Sequence, residues 1–178
     1  MRKINAILTI IAFAIFVLHM TAGGLLMMHV IPYMPVLQLT LSWSLITAAS
    51  AHVIVSVKLT FDSLIAMKKS GVSYMKENMM FWARRASGFA VMAFMVLHVL
   101  IFMFEKGEPG TFSNIDLLCS ILLSASVLIH VVTNIRPLIT GLGKSGRGKG
   151  AKVAIFIASL LVLVSAAAFV VYYIITSV

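Results

Sequence analysis

The chain has 178 residues, is 61% hydrophobic and only 11% charged, and its mean hydropathy is +1.09. Soluble domains lie nearer about 45–50% apolar and about 25% charged, so an ordinary soluble protein is excluded, and so is intrinsic disorder, which needs low hydrophobicity. The net charge of +9 and a pI near 10.1 would suggest nucleic acid in a soluble protein, but the placement of the charges decides otherwise.

Residues 4–57 contain no Asp, Glu, Lys or Arg. A membrane span takes about 20 residues, so this stretch holds two, broken by the turn formers Pro32 and Pro35 beside His29 and Tyr33. The first predicted helix runs over about 5–30 and the second over about 36–58. Helical spacing continues past Lys58 to Gly71, a candidate C-cap, so the second helix projects beyond the membrane. The third covers 82–104, uncharged from 86, and the fourth 114–137, with Ser113 and Asp116 spaced as a capping box at its start. The fifth covers 152–178. Arg2 and Lys3 before an apolar run resemble a signal peptide, but the run is too long and no small-residue cleavage site follows, so it reads as a true span. The expected fold is a single all-α transmembrane domain, residues 1–178, with the first four of five helices bundled.

Five spans place the N-terminus and the 59–85 and 136–152 connections on one side. Every Lys and Arg except Lys106 falls there. The positive-inside rule makes that side cytoplasmic, in the cell membrane, with the C-terminus outside. The basic surplus is thus topological, and no nucleic-acid partner is expected. Cys119 is the one cysteine, which excludes an internal disulfide and a multi-cysteine metal or iron–sulfur site. The loop 141–150 is glycine-rich but lacks the preceding strand and the residue order of a phosphate loop.

His19, His52, His98 and His130 fall one in each of the first four helices. Ionisable residues within a span are costly and by default functional. A bond to a neighbouring helix explains one such histidine; one in each of four consecutive helices asks for a shared ligand. Depth sorts them. His19 and His98 lie roughly 20–24 Å from the cytoplasmic charges of their helices, His52 and His130 about 9 Å. They form an outer pair, His19 with His98, and an inner pair, His52 with His130, roughly 11–15 Å apart along the membrane normal. Two level histidine pairs in a bundle are what axial ligation of two haem b groups requires. Gly23, Ala48 and Ser126 stand four residues from His19, His52 and His130, on the same helical faces, where a flat porphyrin needs small neighbours. Lys58, Arg84, Arg85 and Arg136 are candidates for the inner haem propionates; outside there is only Lys106, with Tyr33 and Gln38 as neutral donors. His29 reads either as an interfacial histidine or as a proton-exchanging group at an outer quinone site, a role Glu105 and Glu108 could share.

The order of these histidines, with none in the fifth helix, resembles the membrane-anchor cytochrome b subunit of succinate dehydrogenases and fumarate reductases, in its single-chain, five-helix, two-haem form. Arg85-Ala86-Ser87-Gly88 is similar to the Arg-x-Ser/Thr-Gly motif that opens a helix in such anchors, and His130 to Arg136 (HVVTNIR) to their fourth-helix His-then-Arg pattern. The resemblance covers the whole chain in topology; the very short outer loops depart from it. It implies an electron-transfer subunit of a quinone-linked respiratory oxidoreductase. Two haems bound through iron would be its cofactors, menaquinone or ubiquinone its substrate, and a flavoprotein its partner, usually with an iron–sulfur subunit between. Ser87 joins the arginines there as a propionate or quinone contact. Two other readings stand beside it: the cytochrome b subunit of a hydrogenase or formate dehydrogenase-type complex, and a haem-free small transporter or metal-handling protein.

Overall fold

The structure is a computed structural model. It describes residues 1–71, 79–104 and 114–143, and scattered single positions between Gly150 and Ile175. Helix α1 spans Arg2–Met27, α2 Pro35–Ser70, α3 Met79–Phe104 and α4 Asn114–Gly141. All four are long and apolar enough to cross a membrane. Most of the expected fifth helix lies outside the described residues; those described there have helical backbone.

The chain is an all-helical membrane protein among these residues, and its burial pattern says so independently. Large apolar side chains such as Trp43, Ile54, Phe89 and Phe102 face outward, while Ser87, Asp116, Ser120, Ser124 and Ser126 are buried. In water that arrangement would forfeit about 25 cal/mol for every Å² of apolar surface left exposed. In lipid, where apolar burial drives no association, small and polar residues form the helix contacts.

Local chemistry explains the ends. α1 stops at Met27, three residues short of the expected end. His29 takes a left-handed φ of 56°, and Val30 and Ile31 both donate to the Leu25 carbonyl. Pro35 then opens α2 from its first turn, where a missing N–H costs nothing. α2 does not end where charge begins at Lys58. It continues to Ser70 and closes on Gly71 at φ 67°. At 1.5 Å per residue its 36 residues measure about 54 Å, well beyond a hydrocarbon core of about 30 Å. α4 likewise passes Pro137, beyond the expected end at 137, and reaches Gly141. Pro137 removes one backbone donor, a loss that a helix carried by tertiary contacts tolerates. The capping box at the start of α4 cannot be followed, because Ser113 lies outside the described residues.

Gly71→Ala forces a Cβ into the left-handed region, at a cost of about 1–2 kcal/mol. The expected result is faster amide exchange over the last turn of α2, around Lys68 and Lys69, with the transmembrane part unchanged. Hydrogen-exchange mass spectrometry reads both.

Helices α1 and α2 pack as one antiparallel pair and α3 and α4 as another, and α1 also runs against α4. Specific contacts set the levels. Ser56 of α2 bonds Asn5 of α1, Ser87 of α3 meets His130 of α4, and Gly141 of α4 lies beside Ala6 and the Arg2 carbonyl. Arg2, Lys3, Lys58, Arg84, Arg85 and Arg136 therefore gather at one end of the bundle. On α1's other side, Phe13, Val17 and Met20 meet Leu161 and Ser165 around a void of about 10 Å³, which holds a water at most.

Candidate functional site

The inner pair comes together across the bundle. The ring centroids of His52 on α2 and His130 on α4 are 6.5 Å apart, with the planes at 75°. Each imidazole is tied to a hydroxyl on the antiparallel neighbour of its own helix. His52 Nδ1 lies 3.1 Å from Thr9 Oγ1, and His130 Nδ1 lies 3.2 Å from Ser87 Oγ.

The hydroxyl protons assign the tautomers. Thr9 donates to the Asn5 carbonyl at 2.8 Å, and Ser87 donates to the Arg84 carbonyl at 3.1 Å. A hydroxyl has one proton to give, so each accepts from its histidine in the tautomer with Nδ1 protonated; the Asn134 amide Nδ2, a donor 3.4 Å from His130 Nδ1, competes with that arrangement in the second ring. In that tautomer the lone pair is on Nε2. Ser56 Oγ stands 3.4 Å from His52 Nε2, but its proton goes to Asn5 Oδ1 at 2.9 Å. Neither Nε2 lone pair is consumed by these hydroxyls. A fixed Nδ1–H that leaves Nε2 as donor to a metal is the tautomer an axial imidazole ligand needs.

At 6.5 Å between ring centroids the two imidazoles are near enough to share one metal centre. Gly88 makes room beside the pair. A Cβ built there would lie 3.2 Å from His130 Cε1, so alanine would push the ring by a few tenths of an ångström and a larger side chain would collide with it. Asn134, one turn further along α4, donates to the His130 carbonyl at 2.8 Å. The residues present fit an iron porphyrin, which His52 and His130 would hold. Among the described residues no group of three or more histidine, cysteine or acidic side chains converges as a protein-only metal centre; a haem iron asks for two.

The outer pair sits one bundle layer away. His19 is within electrostatic range of His98. His19 lies ten residues past Thr9, and His98 eleven past Ser87, so the two levels are about 15 Å apart along the helices. Ser120 Oγ is 3.5 Å from His98 Nδ1, and Asp116 Oδ1 is 3.8 Å from the same nitrogen. His19 Nδ1 is buried and makes no hydrogen bond among the described residues.

The other predicted site residues divide. Arg84 and Arg136 lie within electrostatic range of each other near the inner pair. Arg84 is half-buried, with its Nε bonded to the Met80 carbonyl. Arg85 lays its guanidinium 3.2 Å over the Phe81 ring, and its buried Nε has no hydrogen-bond partner among the described residues. Lys58 is exposed and ion-paired with Asp62 at 3.5 Å, away from the pair. His29 is exposed at the turn after α1, with Tyr172 at 6.3 Å. The structure gives it a backbone task, since its left-handed φ closes the helix. Glu105, Glu108 and Lys106 lie outside the described residues.

Sequence reasoning passed over Asn5, Thr9, Ser56, Ser120 and the inward role of Asp116. A signal was present: Thr9 follows Asn5 and Ser56 follows His52 at helical spacing of four, in otherwise apolar stretches.

Comparison of the chain with protein-family models, with curated proteins and with solved structures finds no match.

Proposed function

We propose that the chain is a dihaem b-type cytochrome that anchors a soluble flavoprotein, directly or through an iron–sulfur subunit, and passes electrons between it and membrane quinone. The observation that carries the reading is the inner pair: two imidazoles on facing helices, 6.5 Å apart, with both Nδ1 atoms bonded to hydroxyls. His52 and His130 would hold one haem, and His19 and His98 the other. Haem iron supplies one-electron transfer between its ferric and ferrous states.

The chain's own residues orient and tune. Thr9 and Ser87 hold the inner imidazoles at Nδ1 and so orient their rings. Arg84, Arg85 and Arg136 gather positive charge at the same end, suited to propionates. The outward apolar faces of the helices meet lipid and exclude water from both levels. The basic end is assigned to the cytoplasm. There the projecting part of α2 and the connections 59–85 and 136–152 offer the partner a docking face. The resemblance to succinate dehydrogenase and fumarate reductase anchors supports a flavoprotein as that partner.

The protein purified from a host with ample haem is expected to show a reduced-minus-oxidised b-type spectrum and about two haems per chain. A chain that binds no haem under those conditions overturns the reading, and metal-dependent stabilisation without a Soret band would favour metal handling instead.

A further inference from the structure

The two histidine pairs are set in different electrostatic surroundings. At the inner pair the Nδ1 atoms meet neutral hydroxyls. At the outer pair His98 Nδ1 has a carboxylate beside it, Asp116 Oδ1 at 3.8 Å, an electrostatic rather than a hydrogen-bonding distance, and Ser120 Oγ at 3.5 Å. Asp116 is only 3% exposed, and Ser120 5%.

A carboxylate this deep in apolar surroundings is costly unless other groups compensate its charge. Asp116 stands in the first turn of α4, where the free N–H groups and the helix dipole favour a negative charge. The helix end thus supports the carboxylate where it sits, one turn before Ser120. The two residues present their oxygens to one nitrogen of one histidine. His19, the other member of the pair, has no hydrogen bond at Nδ1 among the described residues. The hold on the outer pair is therefore concentrated on the His98 side.

We propose that Asp116 is the positioning residue for His98, and that it keeps the outer haem harder to reduce than a neutral side chain would. This rests on the dihaem reading above. The carboxylate's field, with the Ser120 hydroxyl at 3.5 Å, draws Nδ1 toward the start of α4 and leaves Nε2 for the iron. A carboxylate behind a ligating imidazole also makes it a stronger donor. Its negative charge favours the more positive ferric state in a medium that screens poorly.

The test is spectroelectrochemistry at one pH on the full chain in detergent or nanodisc, comparing wild type with Asp116→Asn and Asp116→Glu. The outer haem is identified as the one missing from His19→Ala. Asn keeps the size and removes the charge. The expected result is an upward shift of the outer haem's potential by tenfold or more in its reduced-to-oxidised ratio, 59 mV per tenfold for a one-electron couple. The inner haem should stay unmoved, and Glu should lie closer to wild type than Asn does. An unmoved outer potential in Asn, an equal shift of both haems, or a Glu variant that behaves as Asn overturns the proposal. Should Asn lose the outer haem alone, its retention in Glu supports positioning and its loss there overturns it. Loss of both haems in Asn marks a purely structural acid and also overturns it. Wild type without haem fails the dihaem reading itself, which separates that failure from the failure of Asp116.

Discussion

Replacing His52 or His130 with alanine is expected to remove one and the same haem and to leave the other in place. His19→Ala and His98→Ala should remove the second. The reason is level. Asn5 and Thr9 of α1 stand beside Ser56 and His52 of α2, and Ser87 of α3 beside His130 of α4. Both inner histidines therefore occupy one layer of the bundle, with their rings 6.5 Å apart. The outer two lie ten and eleven residues further along α1 and α3. Losing a hydrogen-bond partner of a ligand commonly weakens metal binding by about 10–100-fold, so losing the ligand itself costs more. Haem counts per chain with low-temperature difference spectra of the four variants decide the matter. Four variants that all keep both haems would sink the assignment. A different grouping, with His19 and His52 lost together, would place the haems within the α1–α2 pair rather than across the bundle.

The second large effect is steric. Gly88→Val should abolish or severely weaken the inner haem while the outer one stays. A Cβ at this position would lie 3.2 Å from His130 Cε1 and 3.5 Å from Nδ1. The ring has little freedom to retreat, since Ser87, one residue earlier on the same helix, holds Nδ1 at 3.2 Å. Alanine asks for a shift of a few tenths of an ångström and should be mild. Valine adds two methyl groups beyond that carbon. Overpacking of this kind costs about 1–3 kcal/mol, which corresponds to a roughly 5- to 150-fold loss of haem affinity. Haem retention during dilution or gel filtration measures it. A Gly88→Val protein that carries both haems with unchanged spectra would show that His130 does not need this space.

Both experiments use residues of unequal visibility in the amino-acid sequence. The histidines stand out because a titratable side chain in an uncharged span is conspicuous whatever it packs against. Gly88 is visible as part of Arg85-Ala86-Ser87-Gly88, but its closeness to a ring on another helix is not. The inward role of Thr9 is no easier to see. A hydroxyl in a span usually satisfies itself on the carbonyl three or four residues back, as Thr21, Thr40 and Thr47 do here. Thr9 makes that bond as well and still accepts from His52, a double use that only the neighbouring helix discloses.

The amino-acid sequence by itself determined that this is an all-helical membrane protein, roughly where its first four spans lie, and that basic residues collect at one end. These properties follow from composition and from distance along the chain: apolar length sets a span, and charges bound it. It also placed Gly71 as the stop of α2, because a left-handed cap selects glycine locally. Tertiary structure decided the rest. It set His29 in the left-handed turn that closes α1, turned Lys58 outward to Asp62, and buried Asp116 against His98. Those outcomes depend on the rotation of one helix against another. Rotation is set by which small and polar side chains can meet at an interface, and a stretch that is apolar on all sides carries almost no record of it.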